Sequence, residues 1–412
     1  MSSLFIVTVM ALAAQQVVHP DQLTGDRAKS EARPARPPIE IGTPPSTVTT
    51  RDGKEIQNGL RSTDYEYVLG DGVTTKEIVY YSEGVACYAK IFFPKGFDAK
   101  AKPGIPAVVL GQGYAGTHVS IEKYGNRFAE KGLVAMVIDY RGWGFSEGFP
   151  ELVKPTIGGG VERDNTRFVT KNAQVRIKRT KIIPQEQQQD YRNAISYIQG
   201  EPGVDYQRIG VWGSSLAGGN ATVVAGQDGR VKAVAVQVPA IAGVATISGR
   251  HKVYSAARED GIKRAREGQG KEYVTGFSRF FAVDQYSQAA ANQENYVGFW
   301  STKIDVPYLA IAAANDQLIP VAGIKAAVER VPGVHDFIVV PEITHFAMYS
   351  GEAFEISSNS AANWFVKYLN APEAADGPEP QMPTRQIGPT PVKSNEADKK
   401  TPPGAAKGAT GN

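Results

Sequence analysis

Residues Ile209–Gly219 read Ile-Gly-Val-Trp-Gly-Ser-Ser-Leu-Ala-Gly-Gly, and no other stretch constrains the fold as tightly. An apolar run suited to a strand meets a small-residue cluster suited to the start of a helix, with no room for a loop between them. The chain must therefore reverse in one sharp turn at Ser214–Ser215. A residue at such a turn is held in strained backbone geometry that projects its side chain clear of the sheet. The positions two before and two after it must be small to avoid collision. Gly213 and Ala217 meet that demand around Ser215, whereas centring the turn on Ser214 would put Trp212 at a position that has to be small.

The rest of the chain repeats the strand-then-helix rhythm. Candidate strands are Glu77–Tyr81, Ala86–Phe93, Ala107–Gly111, Val134–Tyr140, Ile209–Gly213, Val231–Val238, Pro307–Ala313 and Asp336–Val340. Several are near-continuous apolar runs, as strands buried on both faces tend to be. Between and after them lie expected helices at Ile121–Lys131, Gln185–Gln199, Ser215–Ala225, Ala322–Arg330 and Ala353–Leu369. The last shows Phe354, Ile356, Ala361, Trp364, Phe365 and Tyr368 near helical spacing. Alternating strands and helices predict an α/β domain with a mainly parallel sheet covered on both faces. The pair of strands before Pro94 reads as an antiparallel hairpin leading into it. Two segments break the rhythm: the long basic stretch Gly148–Pro184, and Ala240–Thr302, which is the natural cap over a site.

Length and composition bound the rest. The 412 residues suffice for one large domain or two ordinary ones, and 42% hydrophobic with 21% charged residues is the composition of a globular enzyme. A formal net charge of +3 gives no strong pull toward nucleic acid or anionic membrane. Leu4–Ala14 is an apolar run ending in small residues, like a signal-peptide core and cleavage site, but it lacks an initial positive charge and is too short to span a bilayer. Export to a periplasm or medium is the expectation, with a cytoplasmic protein as the alternative. Residues 1–60 thus read as a signal-like run and a proline-broken flexible arm, and 61–371 as the folded domain, with the cap at about 240–302. Residues 372–412 hold almost no large apolar side chain and are expected to be disordered. The single cysteine, Cys87, rules out an intramolecular disulfide framework and reads as a small buried hydrophobe on a strand.

A serine hydroxyl needs an adjacent base, itself oriented by a third group, to act as a nucleophile at neutral pH. Of the five histidines, His345 follows the last expected strand, where loops at strand C-termini build sites. His335 precedes that strand and belongs at the opposite end of the sheet. His118, after the glycine-containing loop of an early strand, is a weaker rival; His251 falls in the cap and His19 in the terminal arm. Asp316 directly follows a buried strand and can accept the imidazole hydrogen bond. The competing use of an aspartate there is to cap the helix near Ile324 or to form the turn ahead of it.

Ser215, Asp316 and His345, in that chain order, resemble the α/β-hydrolase superfamily, nearest to its dienelactone-hydrolase-like and acyl-peptidase-like branches. The resemblance spans about residues 75–370. It includes Asp139-Tyr140-Arg141-Gly142-Trp143-Gly144-Phe145-Ser146-Glu147-Gly148, similar to a D-x-R-G-x-G-x-S segment of the superfamily, and Gly200–Asp205 ahead of the nucleophile strand. It implies a helical cap and an oxyanion hole in Gln112-Gly113-Tyr114-Ala115-Gly116, where the amides of Tyr114 and Leu216 would act, or else the Tyr114 hydroxyl. Gln112 stands where relatives carry histidine. The expected activity is hydrolysis of a small carboxylic ester or lactone through an acyl-enzyme, with no cofactor and no metal. The alternatives are a serine peptidase or amidase acting on small peptides, an acyltransferase, or a catalytically silent binding protein of the same fold. Aromatic residues between Tyr254 and Trp300 suggest an apolar acyl pocket. The basic run Arg176, Lys178, Arg179 and Lys181 could attract an acidic substrate or simply face solvent. Gly158–Gly160 lacks a following P-loop lysine, and no metalloprotease or dinucleotide motif is present.

Overall fold

All eight apolar runs become strands of one sheet. The structure, a computed structural model, describes residues 47–49, 55–57, 66–114, 116–153, 172–177, 179, 183–241, 262, 265–266, 273–274, 282–283 and 297–370. The strands are β1 (Thr74–Ser82), β2 (Val85–Phe93), β3 (Ile105–Gly111), β4 (Val134–Ile138), β5 (Val204–Ser214), β6 (Val231–Gln237), β7 (Tyr308–Ala313) and β8 (His335–Val340). Their order across the sheet is β8-β7-β6-β5-β3-β4-β2-β1. β1 and β2 form the antiparallel hairpin, with Ser82 opposite Val85, and β2 is antiparallel to β4. From β4 through β8 every pairing is parallel.

Parallel neighbours need crossovers, and helices supply them. These are α1 (Glu122–Glu130), α2 (Pro184–Gln199), α3 (Leu216–Gln227) and α4 (Val321–Val328), with α5 (Gly351–Leu369) following β8. Side chains alternate along each strand, so the sheet has two apolar faces. Ala107 and Val109 of β3 point into a cluster with Ile195, Ala221, Val224 and Ile324 of α2, α3 and α4. Val108 and Leu110 point into the other, with Tyr124, Phe128, Phe365 and Leu369 of α1 and α5. Trp212 is fully buried on that second face, its ring 4.6 Å from Tyr124 and 6.3 Å from Phe128. Each such large side chain contributes about 1.5–3 kcal/mol by leaving water.

The chain runs outward from β3 to β4, then returns to lay β5 on the other side of β3. The C-terminal ends of β3 and β5 therefore diverge into different loops at a topological switch point, where open α/β sheets form their crevice.

The sheet face of α5 differs from the apolar spacing read along it. Its buried residues include Ala353, Ser357, Ser358, Ala361, Ala362, Phe365 and Leu369, while Trp364 and Tyr368 are only half-buried. Small side chains let the helix lie close to the sheet, and the larger aromatics take the flanks. Nearly all of the terminal arm and of the cap, and the whole C-terminal tail, lie outside the described residues, as do His19, His251 and Gly158–Gly160. No helix among the described residues is long and apolar enough to cross a membrane.

Candidate active site

β5 ends at Ser214 and α3 begins at Leu216, so Ser215 alone makes the turn. Its backbone sits at φ 56°, ψ −119°, a conformation that strains any side-chain-bearing residue. The turn survives because its surroundings fix it. The Ser215 amide donates to the Gln237 carbonyl at 2.9 Å, and the Ser215 carbonyl accepts from Gly218 and Ala240. A Cβ on Gly213 would lie 2.1 Å from the Ala217 carbonyl oxygen, so that position accepts nothing larger than glycine.

Ser214, the alternative centre, points the other way. It is fully buried, its hydroxyl bonded to the Tyr349 hydroxyl and accepting from Gln237 Nε2 at 3.2 Å. Gln237 Nε2 also donates to the Tyr124 hydroxyl at 2.9 Å. This network joins the end of β5 to the loop that follows His345, and Lys123 Nζ donates to the Tyr349 carbonyl from α1.

The structure brings Ser215, His345 and Asp316 together. His345 Nε2 lies 3.0 Å from Ser215 Oγ, and His345 Nδ1 lies 2.7 Å from Asp316 Oδ2. A carboxylate can only accept, so Nδ1 carries the hydrogen; in the neutral ring Nε2 is then the acceptor facing the serine hydroxyl. Asp316 and His345 side chains are both buried. The other oxygen of Asp316 accepts from the amides of Leu318 and Ile319, each at 2.8 Å. Asp316 therefore serves the loop ahead of α4 as a turn-forming aspartate and the imidazole as an acceptor. It does not cap α4, whose N-cap residue is Pro320.

The loop after β3 lies against the serine. A Cβ on Gly113 would be 3.1 Å from Ser215 Cβ and 3.3 Å from the Ser214 carbonyl. That contact puts the neighbouring Tyr114 beside the nucleophile, and Tyr114 itself is half-buried against the core. Leu216 opens α3, so its amide has no partner inside that helix. Gln112 is fully buried beneath the same loop, packed against Gly116.

The other histidines fall elsewhere. His335 is exposed at the start of β8 and bonds the Gly333 carbonyl, at the far end of the sheet from His345. His118 pairs with Asp139 at 2.6 Å rather than with the serine. Of the basic run, Arg176 pairs with Glu151 and Arg179 donates to the Gly144 and Ser146 carbonyls, so these two brace a loop; Lys178 and Lys181 lie outside the described residues. Cys87 is buried on β2, and burial pushes its thiol up to about 12. No cluster of three metal-binding side chains occurs among the described residues.

Comparison with known proteins agrees with the fold and extends it. The model of the X-Pro dipeptidyl-peptidase (S15) family matches residues 83–347, well over half of the chain. An uncharacterized 31.7 kDa protein of the Escherichia coli traX-finO intergenic region is 23% identical over 290 residues, covering 64% of this chain and 91% of that protein. The thiohydrolase apmlB of Arthrinium phaeospermum is 30% identical over 148 residues, 35% of this chain and 39% of that protein. Among solved structures, a hypothetical protein of Pseudomonas aeruginosa superposes with a TM-score of 0.54 at 18% identity, covering 76% of this chain and all of that one.

Proposed function

The chain belongs to the X-Pro dipeptidyl-peptidase (S15) family and carries the α/β-hydrolase fold, and on that premise we propose that it is a serine hydrolase cleaving a carboxylic ester or lactone, with Ser215, His345 and Asp316 as its catalytic groups. The observation that carries the proposal is the continuous hydrogen-bonded line from Ser215 Oγ through His345 to Asp316. In this reading His345 Nε2 takes the hydroxyl proton as Ser215 Oγ bonds to the acyl carbon. The resulting oxyanion is held by the amides of Tyr114 and Leu216. Collapse breaks the bond to the leaving oxygen, which receives the proton from the imidazolium. Water then gives a proton to the same nitrogen as its oxygen bonds to the acyl carbon; collapse breaks the bond to Ser215 Oγ, which takes that proton back from the imidazolium, and the acid leaves.

The likeness to a thiohydrolase favours an acyl–oxygen or acyl–sulfur bond, whereas the family match favours an amide bond after proline. A fluorophosphonate probe and a substrate set separate these readings. Wild type, and not Ser215→Ala, should be labelled and should hydrolyse p-nitrophenyl acetate. A kcat/KM higher for an Xaa-Pro-p-nitroanilide than for the acetate would make the protein a peptidase. Folded wild type that takes no label would overturn the serine assignment altogether.

A further inference from the structure

The Asp139–Gly148 segment is set aside by the reaction above, yet it is built around a fully buried carboxylate. We propose that Asp139, acting through His118, is a positioning residue that clamps the loop bearing the oxyanion donor against Ser215. The proposal rests on the serine-hydrolase reading and deepens it.

Asp139 directly follows β4, and β4 pairs in parallel with β3, so the carboxylate emerges beside the loop that leaves β3 at Gly111. That loop has two fixed ends. One is β3 with Gly113 lying against Ser215. The other is His118, whose backbone amide donates to Asp139 Oδ1 at 2.7 Å and whose ring Nδ1 donates to Oδ2 at 2.6 Å. Tyr114 lies between them. A third donor, the Phe145 amide, reaches Oδ2 at 3.0 Å.

The remaining residues of the segment hold Asp139 still. Gly144 sits at φ +50°, and a Cβ there would fall 2.0 Å from Asp139 Oδ2, so only glycine lets the turn wrap the carboxylate. Ser146 Oγ donates to the Asp139 carbonyl and accepts from the Tyr88 amide, each at 2.8 Å. Arg141 is anchored to Asp190 and to Ser82. The His118 ring is packed beside Tyr88 and Phe145, with centroids at 4.6 and 5.0 Å. Its Nε2 faces Glu122 at 3.6 Å, and Glu122 is held in turn by Lys90 and Tyr67.

Burying a carboxylate is costly unless its hydrogen bonds are complete, and apolar residues would close this space with less penalty. What the carboxylate supplies, and apolar packing would not, is a directional hold on the loop end. An oxyanion donor acts only within about 2.7–3.1 Å of the developing charge.

Asp139→Asn replaces one accepting oxygen by an NH2 that must face one of three donors. The expected result is a kcat lower by about 10- to 100-fold, the scale of a misplacement near 1 Å, with KM changed less than about threefold. Affinity for an alkyl boronate, which forms a tetrahedral adduct with an activated serine, should fall in step with kcat. A second pair keeps the test open if that variant does not fold: His118→Ala loses the ring donor, and His118→Asn retains a side-chain N–H and should recover most of the activity. Lowered thermal stability with kcat and boronate affinity intact would make the cluster purely structural and overturn the clamp. So would a His118→Asn variant no better than His118→Ala. Wild type that neither turns over ester nor binds the boronate would instead overturn the reading of Ser215, and the clamp with it.

Discussion

Replacing Asp316 by asparagine tests the site more sharply than deleting it, because the geometry dictates how the amide must sit. Asp316 Oδ1 accepts from two backbone amides, Leu318 and Ile319, and Oδ2 accepts from one imidazole N–H. An asparagine has one accepting oxygen. Turned so that its NH2 faces the two amides, it would lose two hydrogen bonds and set donors against donors. Turned the other way it keeps both and places its NH2 against His345 Nδ1. The loop ahead of α4 therefore selects the second orientation.

That orientation forces the wrong imidazole tautomer. Nδ1 must now accept, the ring hydrogen moves to Nε2, and Nε2 meets Ser215 Oγ at 3.0 Å as a donor rather than a base. The expected loss is about 10³–10⁴ in kcat, equivalent to roughly 4–5.5 kcal/mol of barrier. Stability should change by only about 1 kcal/mol, since both backbone hydrogen bonds remain. Steady-state hydrolysis of p-nitrophenyl acetate, the rate of fluorophosphonate labelling and urea unfolding report these separately. An Asp316→Asn enzyme that is well folded and within tenfold of wild-type kcat would refute the base assignment.

Other expectations follow from the network around the site. Tyr349→Phe removes the hydroxyl partner of Ser214 while Gln237 stays bonded to that serine, so it should cost about 0.5–1.5 kcal/mol in urea unfolding and less than about tenfold in kcat. Cys87, with its thiol pushed up to about 12 by burial, should give no reaction with Ellman's reagent at pH 8 when folded and one equivalent per chain in guanidinium. Glu355 is held below the usual carboxylate range by its hydrogen bond from Arg127. A depressed carboxyl adds stability above its unfolded value of about 4.3 and loses it as pH falls through the folded value. Because Glu355 is half-exposed, Arg127→Met should cost less than about 1 kcal/mol at pH 7, and the difference should fade in acid unfolding as the carboxyl protonates.

The proposed triad was legible in sequence, and the clamp was not, for one physical reason. Ser215, Asp316 and His345 each follow the C-terminal end of a parallel strand, β5, β7 and β8. Those ends lie in near register across the sheet: Ser214 opposite Gln237, Gln237 opposite Ile311, Ala313 opposite Val340. The apolar runs mark these strand ends, so Ser215 one residue past β5, Asp316 three past β7 and His345 five past β8 are placed at one end of the sheet without knowing the register. His118 does not sit at a strand end. It lies several residues beyond β3, where its direction depends on how the intervening loop folds, and read alone it could only be weighed as a rival base. Its partner Asp139 does follow a strand, but it faces the β3 loop rather than the nucleophile because β3 stands between β4 and β5. That strand order comes from which strands pair, a long-range choice that local hydrophobic pattern does not encode. The sequence trace of the clamp was Gly144, a glycine that an exposed loop would not require and that a carboxylate 2.0 Å from its would-be Cβ does. The sheet face of α5 was legible only in part for a related reason: of the residues read at helical spacing Ala361 and Phe365 are buried and the other four pack on the flanks, while Ser357 and Ser358, small enough to fit where the helix meets the sheet, complete the buried face.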